Sequence, residues 1–320
     1  MIPYLHTMYA EGLMNELKGT TEDKQALYGS AMCPVPELHK EKYITLSSLE
    51  RLLSCISVQS SAIELIHVMR KSAKLAILPK LLGKKSIYKE VEQNVRQALN
   101  LSVAFVSGFR IGVTQFNDKP TLVCEPLANL GFEFPLCEIY FNTIATELVL
   151  ASKKYSASKH RCYFRSNDCL PAHQAFNIQY SRSMVMHFSQ PYSGIEIVSK
   201  FPIKEHLFEY NQFCFASSLM RVMVSIFLDH TVTLDVASEV TRIPKRTIQR
   251  RLSNENLSFL EFRKTLVSNR ALELLQEGRD ITETAIDLHF SSVGHFSRFI
   301  KKLHGVSPTQ WKEQTISRGF

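Results

Sequence analysis

Two stretches near the C-terminus, "ASEVTRIPKRTIQRRL" (237–252) and "TAIDLHFSSVGHFSRFIKKL" (284–303), repeat one pattern, and that repetition constrains the fold more than any other feature of the chain. In each, a short helix with a small residue on its inner side, Ser238 or Ala285, leads through a tight turn into a second helix. The second helix carries an apolar pair four residues apart, Ile248/Leu252 and Phe296/Ile300, which helical geometry places on one inward face. What remains faces outward and is polar or basic: Arg246, Gln249 and Arg250 in the first unit, Ser297, Arg298 and Lys301 in the second. This is the periodicity of a helix-turn-helix, whose second helix lies in the DNA major groove.

The residue types suit that role. Arginine and lysine donate to guanine N7 and O6, glutamine pairs with adenine, and the same cations neutralise phosphates. Five basic residues fall between Arg242 and Arg251, and no acid appears before Glu255. A single basic helix of this kind is more often a solvated face; two in tandem, with a helix expected between them, are far more specific. That intervening helix, Phe259 to Glu277, would be about 27 Å long, comparable with the ~34 Å of one DNA turn.

Upstream the text is mixed. "LSSLERLLSCI", "SAIELIHVMRKSA" and "IYKEVEQNVRQAL" space apolar residues at three and four, as one-sided helices do. "VAFVSGFRIGVTQF" and "PTLVCEPL" are rich in β-branched and aromatic residues and predict a hairpin, with Asn117-Asp118-Lys119-Pro120 as its turn. A long helix is expected in "CEIYFNTIATELVLASKKY" and further strands in "RCYFRS", "RSMVMHF" and "GIEIVSKFP", the last two separated by the turn "SQPYSG". From about Phe213 the pattern is purely helical, with room for six or seven helices.

Other classes find little support. The chain of 320 residues, 45% hydrophobic, can bury two domain cores, and its net charge of +8 makes a polyanionic partner plausible without specifying one. Seven scattered cysteines without a C-x-x-C pair suggest neither a disulfide framework nor a zinc ribbon, and fit a cytoplasmic location. His160, Cys162, Cys169 and His173 come nearest to a metal cluster, but Cys-x3-His on an expected loop is a weak spacing and scattered thiols are more often core residues, so no metal or cofactor is expected. With no G-x-S-x-G, Walker loop or H-E-x-x-H, an enzyme is not expected either. No secretory leader is recognised, and apolar runs such as "LMRVMVSIFL" are too short to span a bilayer, so no membrane partner is expected.

"RTIQRRL", "SFLEFR", "ALELL", "ITETAIDLHFSS", "HFSRFIKK" and "GVSPTQW" occur in the order and near the spacing of the DNA-binding domain of AraC/XylS-family bacterial transcription regulators, which residues 228 to 316 resemble. Further upstream, "FRIGV", "IATELVL" and "SMVMHFSQPYSGIEIVSKFP" resemble the ligand-responsive N-terminal domain of ornithine-utilisation-type regulators. The resemblance implies an α+β effector-binding or dimerisation domain over 1–212 and an all-α DNA-binding domain over 213–320. Its two helix-turn-helix units fall at about 234–254 and 281–303, joined by a linker helix at about 259–277. It implies base or phosphate contacts from Lys245, Arg246, Gln249, Arg250 and Arg251 in the first unit and from Val293, Gly294, His295, Arg298 and Lys301 in the second. Within that set Arg251 leaves the stripe and is expected to meet phosphate or solvent, and His295 can contact a base or simply pack.

The departures from the family pattern have physical content. Arg242 and His289 stand where the turns usually hold glycine, which enters the left-handed region without penalty, so strained or reshaped turns are expected. Pro244 suits a first helical turn, where no intrahelical donor is needed. The implied partners are double-stranded promoter DNA, a small-molecule effector, a second copy of the chain, and RNA polymerase if the protein activates. The alternative is an N-terminal domain that only dimerises or binds a protein partner. The strand faces "VAFVSGFRI" and "MVMHF", with Arg110 and His187 nearby, read equally as ordinary interior or as a pocket for an amphipathic or acidic ligand.

Overall fold

The computed structural model describes residues 2–34, 43–83, 90–102, 105–127, 133–151, 160–167, 170–180, 184–197, 206–210, 214–227 and 231–317. The chain divides into two compact units, the first ending at Cys214 and the second taking up from Phe215. The expected segments at 87–89, 103–104, 152–155, 182–183 and 198–202, and Cys169, lie outside the described residues.

The first unit begins with β1 (Tyr4–His6), α1 (Met8–Glu16), α2 (Thr21–Ser30) and β2 (Tyr43–Thr45). Two well-marked helices follow, α3 (Leu46–Gln59) and α4 (Ala62–Ser72). Thr45 starts α3 by accepting the Ser48 N–H at 2.9 Å, and Leu49, Leu52, Leu53 and Ile56 then bury one stripe. Ser61 and Glu64 form a capping box on α4, each side chain serving the other's backbone N–H. The helical path continues through a π turn (Ala73–Ile77) into α5 (Leu78–Leu82), and α6 spans Val91–Ser102.

β3 (Val106–Ser107), β4 (Phe109–Phe116), β5 (Lys119–Pro126), α7 (Pro135–Leu150), β6 (His160–Tyr163), α8 (Pro171–Gln179), β7 (Met184–His187), β8 (Gly194–Glu196) and β9 (His206–Tyr210) complete the unit. β1 sits between β2 and β3 in a small sheet, and the larger sheet runs β7-β6-β8-β5-β4-β9, antiparallel except where β6 meets β7. The predicted hairpin is β4–β5, but its loop is shorter than expected. Only Asn117 and Asp118 turn, both with positive φ (49° and 58°), while Lys119 and Pro120 already pair with Phe116 and Gln115.

α7 is the central helix, buried along most of its length. Its first turn is held from another helix: the Glu50 carboxylate of α3 accepts the N–H groups of Leu136 (3.1 Å) and Cys137 (2.8 Å). Further along, Glu147 accepts from Arg70 Nε at 2.6 Å and from the Tyr180 hydroxyl at 2.9 Å. Burial raises the pKa of both Glu50 and Glu138, the latter held by the Ser193 hydroxyl and the Ser166 N–H.

The second unit is helical throughout its described residues: α9 (Phe215–Ile226), α10 (Leu234–Thr241), α11 (Lys245–Asn254), α12 (Phe259–Gln276), α13 (Ile281–Asp287), α14 (Val293–His304) and α15 (Pro308–Ser317). α12 is capped by Ser258 with Glu261 and α13 by Asp280 with Glu283, the S-x-x-E and D-x-x-E signals that mark helix starts in sequence. Trp311 packs on the ring of His304, centroids 4.3 Å apart. Among the described residues no helix is long and apolar enough to cross a membrane.

Candidate nucleic-acid interface

α10 packs against α11 and α13 against α14, and α12 lies between the two pairs in sequence. The inward anchors are as the spacing predicts: Ile248, Leu252, Phe296 and Ile300 are all fully buried. The small inward residue of the first pair differs from expectation. Ala237 is buried, while Ser238 is only half-buried and donates its hydroxyl to the Ile243 carbonyl at 2.7 Å. Ala237 precedes Ile248 by the same eleven residues that separate Ala285 from Phe296, so the two pairs share one register only when Ala237 is matched to Ala285.

The two turns carry the expected left-handed residues and meet their cost differently. Arg242 ends α10 at φ 55°, ψ 22°, a conformation that costs a non-glycine residue about 1 kcal/mol. There Thr241 Oγ1 accepts the Ile243 N–H at 3.2 Å and donates to the Ala237 carbonyl. His289 ends α13 at φ 58° in a Schellman arrangement, with Phe290 N–H bonded to Ala285 O (2.9 Å) and His289 N–H to Ile286 O (2.8 Å). The Phe290 ring then packs on Phe296 and Phe299.

The second helices start differently. Ser292 caps α14 by accepting the His295 N–H at 3.1 Å. Pro244 occupies the cap position of α11, not its first turn, and a proline side chain has nothing to accept with. The first N–H groups of α11 therefore lack a side-chain cap at the positive end of the helix dipole.

On α11, Arg246, Gln249 and Arg250 are exposed, and their side chains make no hydrogen bond or ion pair among the described residues. Lys245 is exposed too, but its Nζ pairs with Asp235 of α10. Arg251 points elsewhere: it is half-buried, its guanidinium 5.3 Å from the ring centroid of Phe215 on α9. One turn on, the Glu255 carboxylate accepts the N–H groups of Phe215 (2.7 Å) and Ala216 (2.9 Å), capping α9. The C-terminal end of α11 thus holds the first turn of α9, a relation invisible in sequence because the partners are forty residues apart. The helix also runs on through Ser253 and Asn254, so the turn that follows is confined to Glu255–Leu257, with Asn256 left-handed at φ 57°.

On α14, Val293 is half-buried and Gly294, His295, Arg298 and Lys301 are exposed. His295 Nδ1 lies 3.2 Å from the Ser291 hydroxyl and its ring meets Phe290 edge-on, whereas Arg298 Nε donates to Gly294 O at 3.3 Å. A Cβ built on Gly294 would meet only the Ser292 hydroxyl, at 4.0 Å, so nothing within the fold requires glycine there.

Comparison with known proteins matches residues 237–314 to the helix-turn-helix domain family. The chain is similar to the HTH-type transcriptional activator CfaD and the DNA-binding dual transcriptional regulator Rns, both of Escherichia coli, each 28% identical over 123 residues, which are 37% of this chain and 46% of the relative. The chain thus spans about half the length of these curated relatives. Among solved structures it is similar to a DNA-binding transcriptional dual regulator from Escherichia coli K-12 at 20% identity, TM-score 0.30, covering 33% of this chain and 96% of the other.

Proposed function

We propose, from the premise that residues 237–314 form an AraC-type helix-turn-helix domain, that this protein is a sequence-specific DNA-binding transcription regulator, controlled by a small molecule bound in its first unit. The observation that carries the reading is the division of labour on α11 and α14. Each is anchored by two fully buried apolar side chains and turns polar and cationic groups outward. In this reading α11 and α14 are the two reading helices and α12 is the linker that spaces them. Arg246, Gln249 and Arg250 meet base edges, the uncapped start of α11 and Lys245 meet phosphate, and α14 contributes His295, Arg298 and Lys301, with Val293 and Gly294 allowing close apolar approach. The names of the relatives support activation among its modes, which would bring RNA polymerase as a partner. A second copy of the chain is a further proposed partner.

Footprinting of the full chain on the promoter region of its own gene, at two salt concentrations, tests this. A protected site whose affinity falls with salt but stays well above that of unrelated DNA is expected; equal affinity for all sequences at both salts refutes it.

A further inference from the structure

The core of the first unit is not completely filled. A cavity of about 80 Å³ lies between the larger sheet, which contributes Ile111 and Cys124, and the helices α6 and α7, which contribute Ser102, Phe141, Asn142 and Ala145 among others. Ile111 and Cys124 face each other across β4 and β5. Together with Ala145 they pack against the core yet are only partly buried. Burial pushes the Cys124 thiol up to about 12 although the residue is only partly buried by area, as fits a side chain on the wall of a recess in the core.

The lining decides what such a void can hold. Among the described residues it includes no Asp, Glu, Lys, Arg or His, and an ion placed there would be desolvated without a partner. The two groups that sequence suggested for an acidic ligand are engaged elsewhere: Arg110 pairs with Glu125 at 2.9 Å, and His187 stacks on Tyr163. Asn142 Nδ2 donates to the Tyr163 carbonyl at 3.2 Å, which leaves its side-chain carbonyl as the acceptor it can offer. The void is small, so the occupant has few heavy atoms.

We infer that this cavity binds a small uncharged molecule, mostly apolar with one hydrogen-bond donor, and that this is the chemical class of the effector; its regulatory meaning rests on the function proposed above. The test uses the full chain with 1-butanol, 1-pentanol, butyrate and butylamine as probes, read by calorimetric titration and thermal shift. Saturable binding of the alcohols is expected, tightening about fourfold from butanol to pentanol, with at least tenfold weaker binding of the two ions. Ala145→Phe should fill the space and abolish alcohol binding; Cys124→Leu, a smaller change, should weaken it if Ala145→Phe does not fold. The inference is overturned if no alcohol binds saturably, if butyrate or butylamine binds as well as butanol, or if the folded variants bind like the parent. A gel shift of the unliganded chain runs alongside. Its failure would refute the regulator reading, while the titration alone decides the cavity.

Discussion

Arg251 is the residue at which sequence and structure lead to different experiments. Read from sequence, it is the last of four cations on the expected first reading helix and meets phosphate or solvent. In the structure its guanidinium lies over Phe215, whose side chain is 6% exposed. A cation–π contact of this partly desolvated kind contributes about 1 kcal/mol, and the aliphatic stem adds packing that alanine would lose. For a unit of roughly a hundred residues, ~1 kcal/mol corresponds to about 4–8 °C in Tm. Arg251→Ala should therefore lower the unfolding transition of the second unit by several degrees, and a double-mutant cycle with Phe215→Leu should return a coupling of about 0.5–1 kcal/mol. The slope of log affinity against log salt on promoter DNA should not change, since no phosphate contact is lost. Were Arg251 a phosphate ligand, that slope would shrink by about one unit for one contact removed. A reduced salt slope with an unchanged Tm would refute the placement of Arg251 and return it to the DNA.

Four further outcomes follow from the same geometry. Arg250→Ala should cost about 1–3 kcal/mol at one base position, visible as relaxed specificity at that position in binding to a panel of single-base operator variants. Gly294→Ala should stabilise the fold by up to about 1 kcal/mol in denaturant melts, because helix propensity improves and the added methyl has room, yet weaken promoter affinity if α14 lies close to DNA; unchanged affinity would remove Gly294 from the interface. Phe296→Ala removes a fully buried anchor and should cost about 3–5 kcal/mol of stability, with loss of DNA binding at temperatures where the second unit has melted. His173, whose Nδ1 accepts the Leu170 N–H, is lowered by burial from 6.5 to about 4, so the unfolded chain binds its proton more readily than the folded one. Stability should therefore fall as pH drops from about 6.5 towards 4, and His173→Gln should flatten that part of the Tm–pH profile relative to the parent.

Legibility in sequence followed the range of the interactions involved. Helices α3 and α4 were readable because their buried stripes and caps are local, and β4–β5 because its alternation and turn are; the loop was overextended because Lys119 and Pro120 look like turn residues while their pairing with Phe116 and Gln115 is set by the partner strand. The strand–helix start of the chain, the π turn between α4 and α5, and the capping of α7 by Glu50 were not readable, since the bond from Glu50 to Cys137 spans 87 residues. In the candidate interface the anchors and exposed cations were legible from period alone. The pairing of Lys245 with Asp235, the bond from Ser238 to Ile243 and the hold of Arg251 and Glu255 on α9 were not, because each depends on how a turn aims one helix at another.

Those turns bear on how α11 and α14 are aimed. Each of α10 to α14 is followed by a residue with left-handed backbone: Arg242, Asn256, Gly278, His289 and Gly305. The two glycines follow α12 and α14, the longest helices of this set, where the turn only has to end the helix. The three non-glycine residues flank α11 on both sides and precede α14, where the turn sets the direction of α11 or α14. A glycine there would relieve about 1 kcal/mol of strain but admit a wider range of φ and ψ, and so a wider range of helix directions. The side-chain bonds of Ser238 and Thr241 around Arg242, and the packing of Phe290 beside His289, offset the strain while keeping the narrow geometry. Arg242→Gly and His289→Gly should on this argument leave stability equal or slightly higher but weaken specific DNA affinity more than nonspecific affinity. Specific and nonspecific binding falling together would mean that these residues act as ordinary charges and not as fixed angles.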